Sequence, residues 1–491
     1  MPAVGEGLWV GLDVGTQGTK GVVLDASSGA IVARASWGYG LMEGLSPGAA
    51  EQHPDTWIDA VRRVCSELMS QVDRSRVLGV GISGQQHGFV PLDDDGAVIR
   101  PAKLWCDTET SAEAEELSRL YERPVPTGFT ASKILWLKRH EPENWSRLRT
   151  ILLPHDYVNF RLTDTFTMEA GDASGMGFFD PRSRMFDLHE VSAIDPRVCD
   201  MLPELVAAGE PAGRLSPEGA ELLGLPEGTL VSAGGGDNMM SAIGSGATRP
   251  GVVVVSLGTS GTVFCHASEP VVDPDGLIAP FCDSTGGWLP LLCVMNLTGV
   301  TEEVRNGFLP DAADAHARLT AAADAVAPGC DGLLWIPYLQ GERVPDLPSA
   351  TGTLLGMRPG SLTAGHLFRA ALEGASLNLA WGVARMRDLG IPVDGVRLVG
   401  GAARNPLWRS VLAACLDAPV TVLEESESGA LGGAVQALWT ARREGGEDVA
   451  IDDLASPLVA TEGDPVSPDP ELVGVYRDLL ARFREEVTRL F

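Results

Sequence analysis

Residues 13–19 read DVGTQGT and residues 256–262 read SLGTSGT, so one loop occurs twice, about half of the 491-residue chain apart. The copies agree at Gly15/Gly258, Thr16/Thr259, Gly18/Gly261 and Thr19/Thr262. Each stands between apolar runs, LWVGLDV and GVVLD around the first, VVVVSL and TVFC around the second. Strand, glycine-bearing tight turn and strand is the pattern of a β-hairpin. A hairpin repeated at this spacing predicts two similar domains facing each other. The Pro- and Gly-flanked stretch GATRPG (246–251) is the expected crossing, dividing the chain into residues 1–247 and 248–491.

Strands and helices alternate throughout, the pattern of an α/β protein. Strands are expected over 8–14, 20–26 and 30–37, a helix over 54–72 and a buried strand over 77–83. A helix is expected over about 130–148 and a loop-and-strand excursion over 160–190. LVSAGGGDNMMSAIGSG (230–246) reads as a strand running through three glycines into a helix. A long helix is expected from Thr363 to Leu389, stopped by Gly390 and Pro392, and VRLVGG (396–401) reads as a strand leading to a helix from Pro406. Residues 451–470 read as an irregular crossing. The closing helix carries the apolar stripe Leu472, Tyr476, Leu479, Phe483, Val487 and Leu490.

The formal charge of −29 argues against nucleic-acid or anionic-membrane partners, which select for Lys and Arg. An anionic ligand would need a local exception: backbone amides, a helix N-terminus or a bound cation. Eight scattered cysteines without a CxxC pair suit a reducing compartment. No basic-then-apolar leader and no run of eighteen apolar residues occur, so a cytoplasmic protein without a membrane span is expected.

In the first loop, glycine amides can approach an anion closely, Thr16 and Thr19 add hydroxyls and Lys20 a charge. Asp13 cannot itself meet a phosphate. It suits the hydration shell of Mg²⁺, which uses few carboxylates and keeps its waters. A single copy would pass for a plain turn. Two copies look like jaws on one polyphosphate, with the metal carboxylate needed on one jaw only. In GGGDN (234–238), Asp237 stands where an aspartate either caps a helix or takes a proton from a substrate hydroxyl. The three glycines before it are expected to give a bulky substrate room. SGQQHG (83–88) places Gln85, Gln86 and His87 at a strand's carboxyl end, where ligands collect in α/β proteins. GVGISG (79–84) matches a dinucleotide pattern without its helix, and no GxxxxGK[ST] occurs. The glycines of LVGGAARN (398–405), ahead of a helix N-terminus, could receive a nucleotide. Glu342–Arg343, in LQGERVPD, reads as an ion pair between lobes.

Taken in order, GLDVGTQGTK, AEQHPDTW, GISGQQHG, LWCDTET, GFTASKILWLKRHEPE, GGGDN, SLGTSGT, PYLQGER and GGAARN resemble the FGGY carbohydrate kinases over essentially the whole chain. The resemblance implies two ribonuclease H-like domains of the actin-like ATPase superfamily with a ligand cleft between them. It implies ATP- and Mg²⁺-dependent phosphorylation of a small sugar, with D-xylulose at its 5-hydroxyl the first expectation. Ribulose, xylitol, erythritol or glycerol, and a non-catalytic nucleotide-binding protein, stay open as alternatives. By the same resemblance Asp237 is the base, Asp13 the metal-linked carboxylate acting through water, and Gln86, His87, Trp105, Asp237 and Asn238 the sugar contacts. Thr16, Lys20, Gly258 and Thr259 fall to phosphates, Gly401, Ala402 and Asn405 to adenosine, and Gly299 to a further nucleotide contact. A homodimer is the family-level expectation. The chain departs from the family pattern at Glu109, where many members carry Arg, and at Gly128, which offers the sugar no side chain.

Overall fold

The computed structural model describes residues 4–491; the first three residues of the N-terminal stretch read above lie outside it. The first hairpin pairs Leu8–Val14 with Gly18–Asp25 in register Asp13↔Lys20 and Val14↔Thr19, and Ala30–Gly38 adds a third antiparallel strand. On the other side Leu8–Val14 runs parallel to Val77–Gly84, which in turn runs parallel to Leu230–Ser232. The second sheet repeats this plan. Gly251–Leu257 pairs with Gly261–Cys265, Trp288–Val294 adds the third antiparallel strand, and Val393–Val399 and Val420–Val422 follow in parallel. Three meandering strands followed by parallel ones, twice over, gives the two similar domains that the duplicated loop predicted, on the ribonuclease H-like plan that the family resemblance implied.

Each sheet is covered by helices, as parallel strands require. Pro54–Gln71 lays Trp57, Val61, Val64 and Leu68 on the first sheet, where Gly21 lacks a side chain so that Val64 and Leu68 can sit close. Ala364–Asp388 covers the second, with Phe368, Leu372, Leu379 and Val383 in its core. Adjacent residues of a strand face opposite sides. Gly11 therefore faces away from Pro54–Gln71, toward the helix Ser428–Glu444. That helix follows the second sheet in sequence yet packs on the first, touching its backbone at Gly11 and Gly81.

Three expectations shift in detail. The helix expected over 130–148 is two, Thr130–His140 and Pro142–Arg147, because Pro142 has no N–H with which to continue the first. Residues 451–470, expected to be irregular, begin with the short helix Ile451–Ala455. Part of the 160–190 excursion is helical, at Pro154–Thr163 and Ala170–Ala173. The two halves of the chain also meet at the second sheet's Cys282–Trp288 segment. There Cys282 N donates to Ser174, Ser284 to Glu169, and Trp288 Nε1 to the Pro181 carbonyl. Among the described residues no helix is long and apolar enough to cross a membrane.

Candidate active site

Asp13 ends its strand beside Ser83 in parallel register, and the Ser83 hydroxyl donates to Asp13 Oδ1 at 2.6 Å. Oδ2 bonds no described residue. Burial pushes this carboxyl's pKa up, while Ser83 and Lys20 oppose the shift. The start of the helix Ser428–Glu444 closes the space behind it: a Cβ on Gly429 would stand 3.0 Å from Asp13 Cγ. Lys20 Nζ lies 2.8 Å from Glu427, so its charge is already paired.

The helix Asp237–Gly244 begins at Asp237 and Gly236 holds the cap position, so the aspartate is not the helix cap. Its Oδ1 accepts from Asn238 N at 2.8 Å and Asn238 Nδ2 at 3.0 Å, which leaves Oδ2 free. Asn238 Nδ2 also donates to Gln86 Oε1 at 2.6 Å. Burial first, then the charges of Asp13 and Asp172, push the Asp237 carboxyl up to about 7. The three glycines before it do not make room for substrate. Side chains there would strike the Ile82 carbonyl at 2.7 Å from Gly234, Ser284 Oγ at 2.4 Å from Gly235 and Gln86 Cγ at 2.6 Å from Gly236. Their space belongs to the protein's own packing. Gln436, reaching over from Ser428–Glu444, clamps the same turn through Gly234 N and O at 2.8 and 2.9 Å.

Thr16 Oγ1 donates to Gln85 Oε1 at 2.9 Å and accepts from Trp105 Nε1 at 3.0 Å, and Gln52 Nε2 holds the Thr16 carbonyl at 2.7 Å. Trp105 is 39% exposed. Glu109 beside it pairs with the buried Lys103 Nζ at 2.5 Å, and the same ammonium lies 3.0 Å from Glu51 and 3.2 Å from Asp107. Those three carboxylates have metal-like spacing, but Lys103 already fills the cation position. Asp13, Thr16, Gln86, His87, Trp105, Asp237 and Asn238 all lie in the first half of the chain, with Thr16 joined to Trp105 and Gln86 to Asn238.

In the second half of the chain a cavity of about 1370 Å³ is lined by Gly258 and Thr259 of the second hairpin together with Gly401, Ala402 and Asn405. Thr298, Thr320 and Trp408 complete its wall; none of them was singled out from the sequence. Gly299 sits behind the hairpin, its N–H on the Thr259 carbonyl, and does not line the cavity. The helix N-terminus after GGAARN is not open to a phosphate. Asn405 Oδ1 accepts from Leu407 N and Trp408 N at 3.1 Å, while its Nδ2 donates to Thr320 at 2.9 Å. Asn405→Ala removes that cap and the tie to Thr320, and should cost about 1 kcal/mol of stability; chemical denaturation checks it. The expected Glu342–Arg343 ion pair is not formed. The buried Glu342 carboxylate instead accepts from Met295 N at 2.7 Å, Arg343 N at 2.8 Å and Asn296 Nδ2 at 3.1 Å.

Two lobes on the same ribonuclease H-like plan, one with the buried carboxylates Asp13 and Asp237 and the other with a large cavity, are the fold of the actin-like ATPase superfamily. Residues 8–244 match the N-terminal domain and residues 253–441 the C-terminal domain of the FGGY family of carbohydrate kinases. The chain belongs to that family and is a carbohydrate kinase. It is 36% identical to the xylulose kinase of Haemophilus influenzae over 99% of this chain and 100% of that one. It is 37% identical to the xylulose kinase of Streptomyces coelicolor over 89% of each. The crystal structure of xylulose kinase from Rhodospirillum rubrum superposes with a TM-score of 0.89 at 31% identity, covering 98% of this chain and 99% of that one.

Proposed function

We propose that this kinase transfers the γ-phosphate of ATP to the 5-hydroxyl of D-xylulose, giving D-xylulose 5-phosphate and ADP, in the cytoplasm. The observation that carries the reading is the pair of unbonded oxygens, Asp13 Oδ2 and Asp237 Oδ2, on carboxylates near enough for the charge of Asp13 to push the Asp237 pKa up. The relatives named xylulose kinase, matched over 89–100% of their length, direct it to xylulose. Eight free cysteines fit a reducing compartment. Residues 1–247 would serve the sugar and 248–491 the nucleotide, with Ser428–Glu444 the part of the second half that packs on the first.

Asp237 Oδ2 takes the proton of the attacking hydroxyl, while Asn238 fixes the carboxylate's orientation through Oδ1. Gln86, His87, Asn238 and Trp105 hold the sugar's other hydroxyls. Thr16 and Lys20 from one hairpin, and Gly258 and Thr259 from the other, approach the phosphates. Gly401, Ala402 and Asn405 flank the adenosine, with Gly299 supporting Thr259 from behind. The residues fit Mg²⁺: Asp13 offers one free carboxylate oxygen, and this ion takes one or two carboxylates plus water and phosphate oxygens. Bound there through water, it would neutralise charge on the β- and γ-phosphates, where phosphoryl transfer needs positioning and charge more than covalent help. Lobe closure would keep water from competing as acceptor.

A base held at about 7 predicts a pH profile. Activity needs the ionised carboxylate, so kcat/KM for the sugar falls as pH is lowered through the raised pKa and levels off above it. A bound cation opposes the shift, so at saturating ATP and Mg²⁺ the acid limb lies at or somewhat below 7. A rate unchanged from pH 8 down to about pH 5 would remove Asp237 as the base. The reading as a whole is tested by ATP turnover with D-xylulose, D-ribulose, L-ribulose, xylitol, erythritol and glycerol. D-Xylulose should give the highest kcat/KM; a strong preference for another acceptor would keep the mechanism and replace the substrate.

A further inference from the structure

His87 is held with unusual thoroughness. It is a non-glycine residue at φ 61°, a left-handed conformation that persists only where the surroundings impose it. Its carbonyl accepts from Thr130 Oγ1 at 3.0 Å and its N–H donates to Asp172 Oδ1 at 3.2 Å. The imidazole packs against Phe129, at a centroid distance of 5.1 Å, and stacks on Phe281 of the second half at 5.4 Å and 10°, the two phenyl rings themselves being 6.0 Å apart. Gly175 leaves the ring its place: a Cβ there would fall 1.8 Å from His87 Nδ1.

Below the ring runs a buried chain of charge. Asp172 Oδ1 stands 3.3 Å from His87 Nδ1, and Asp172 Oδ2 is 2.9 Å from His155 Nδ1. His155 Nε2 is 2.9 Å from Asp156 Oδ1, and Asp156 Oδ2 accepts from Leu153 N at 3.0 Å. Asp172, His155 and Asp156 are all withdrawn from solvent. An ionised carboxylate at such a depth is very costly alone and is tolerated only with a cation or several donors. His155, with a carboxylate at each nitrogen, supplies the cation. Asp172 is further pinned because its backbone N–H donates to Glu169 Oε1 at 2.6 Å. This is more apparatus than a packed imidazole needs, and it stands beside one ring nitrogen only: Nδ1 is a buried atom that makes no hydrogen bond to a described residue and has the Asp172 carboxylate 3.3 Å away, while Nε2 has no such neighbour.

We propose that Asp172, held by His155, is a positioning residue that fixes His87 as the Nδ1–H tautomer, so that Nε2 presents an acceptor lone pair to a sugar hydroxyl. The partner of one ring nitrogen decides what the other can do. The proposal rests on the reading that His87 contacts the sugar.

The tautomer is read directly from imidazole ¹⁵N shifts of histidine-labelled wild-type enzyme, the His87 signals being those lost in His87→Gln. Nδ1–H is expected for neutral His87, and a predominant Nε2–H form overturns the proposal whether or not any Asp172 variant folds. In steady-state kinetics Asp172→Asn should raise KM for D-xylulose about 10- to 100-fold with KM for ATP nearly unchanged. The ATP value also reports that the variant is folded. If His87→Gln raises the sugar KM and a folded Asp172→Asn does not, the positioning role falls and the sugar contact stands. If His87→Gln itself leaves the sugar KM unchanged, the contact fails and the positioning role with it.

Discussion

Asp237→Asn should turn over D-xylulose about 10²- to 10⁴-fold more slowly than the wild type, and at pH 8 it should be the more stable protein. The first effect follows from Oδ2, the oxygen that Asn238 leaves free to accept a proton; an amide in its place cannot. The second follows from the same burial. The folded protein holds this carboxyl's pKa near 7, against an ordinary 3.8, so the native state binds its proton more tightly than the unfolded chain does. Stability therefore falls as pH rises from about 4 to 7 and stays lowered above that, by about 4 kcal/mol if the whole shift is expressed. Asparagine escapes the penalty. Thermal unfolding of metal- and nucleotide-free protein should show a higher midpoint for the variant at pH 8 and nearly equal midpoints near pH 4. Wild-type turnover in a folded Asp237→Asn variant would end the assignment. A variant less stable at pH 8 would show that the carboxylate is not held against its own charge.

Gly432→Val should be among the most damaging single substitutions outside the site. A Cβ on Gly432 would fall 1.9 Å from the Met240 carbonyl, and one on Gly244 would fall 1.9 Å from the Ser428 carbonyl. The helices Ser428–Glu444 and Asp237–Gly244 therefore touch backbone to backbone, and neither can give way without leaving the sheet. Gly11 and Gly81 of the first sheet make the same kind of contact: a Cβ on them would fall 1.7 Å from the Ala430 carbonyl and 2.0 Å from the Gly433 carbonyl. Overpacking a rigid contact of this kind costs about 3 kcal/mol or more. It also reaches the chemistry, because the helix carries Gly429 behind Asp13 and Gln436 under the turn before Asp237. The expected result is a fall of several degrees in unfolding temperature, or loss of soluble protein, with a drop in kcat in whatever folds. Gly474→Ala is the contrast. A Cβ there meets nothing within 4 Å, on the helix Pro470–Leu490, so it should stabilise by about 0.5–1 kcal/mol through helix propensity. Equal behaviour of the two variants would mean that the close approach of the helices is not real.

These cases also show what the sequence could and could not disclose. The two lobes were legible because a glycine turn between apolar strands is a local signal, and its repetition at half the chain length reports on the whole. Asp13 and Asp237 were legible for a related reason: each stands at the end of a strand beside glycines. The helix Ser428–Glu444 escaped notice because three glycines lower its propensity and because residues 428–440 are buried on every side, which erases amphipathic periodicity. The glycines of GGGDN were read as access for substrate, whereas they fit around Ile82, Ser284 and Gln86, partners distant in sequence. Glu342 and Arg343 suggested an ion pair by adjacency, but the carboxylate turns inward to backbone amides that no local pattern announces. His155 and Asp172 likewise meet His87 only in the folded chain.

The central claim is tested most directly by the position of the phosphate in the product. Enzyme, ATP and Mg²⁺ with D-xylulose labelled with ¹³C at C5 should give a product whose C5 signal is split by coupling to ³¹P, with ADP formed in equal amount. Phosphate on another carbon, or ATP hydrolysed to inorganic phosphate with the C5 signal unsplit, would contradict transfer to the 5-hydroxyl in this cleft.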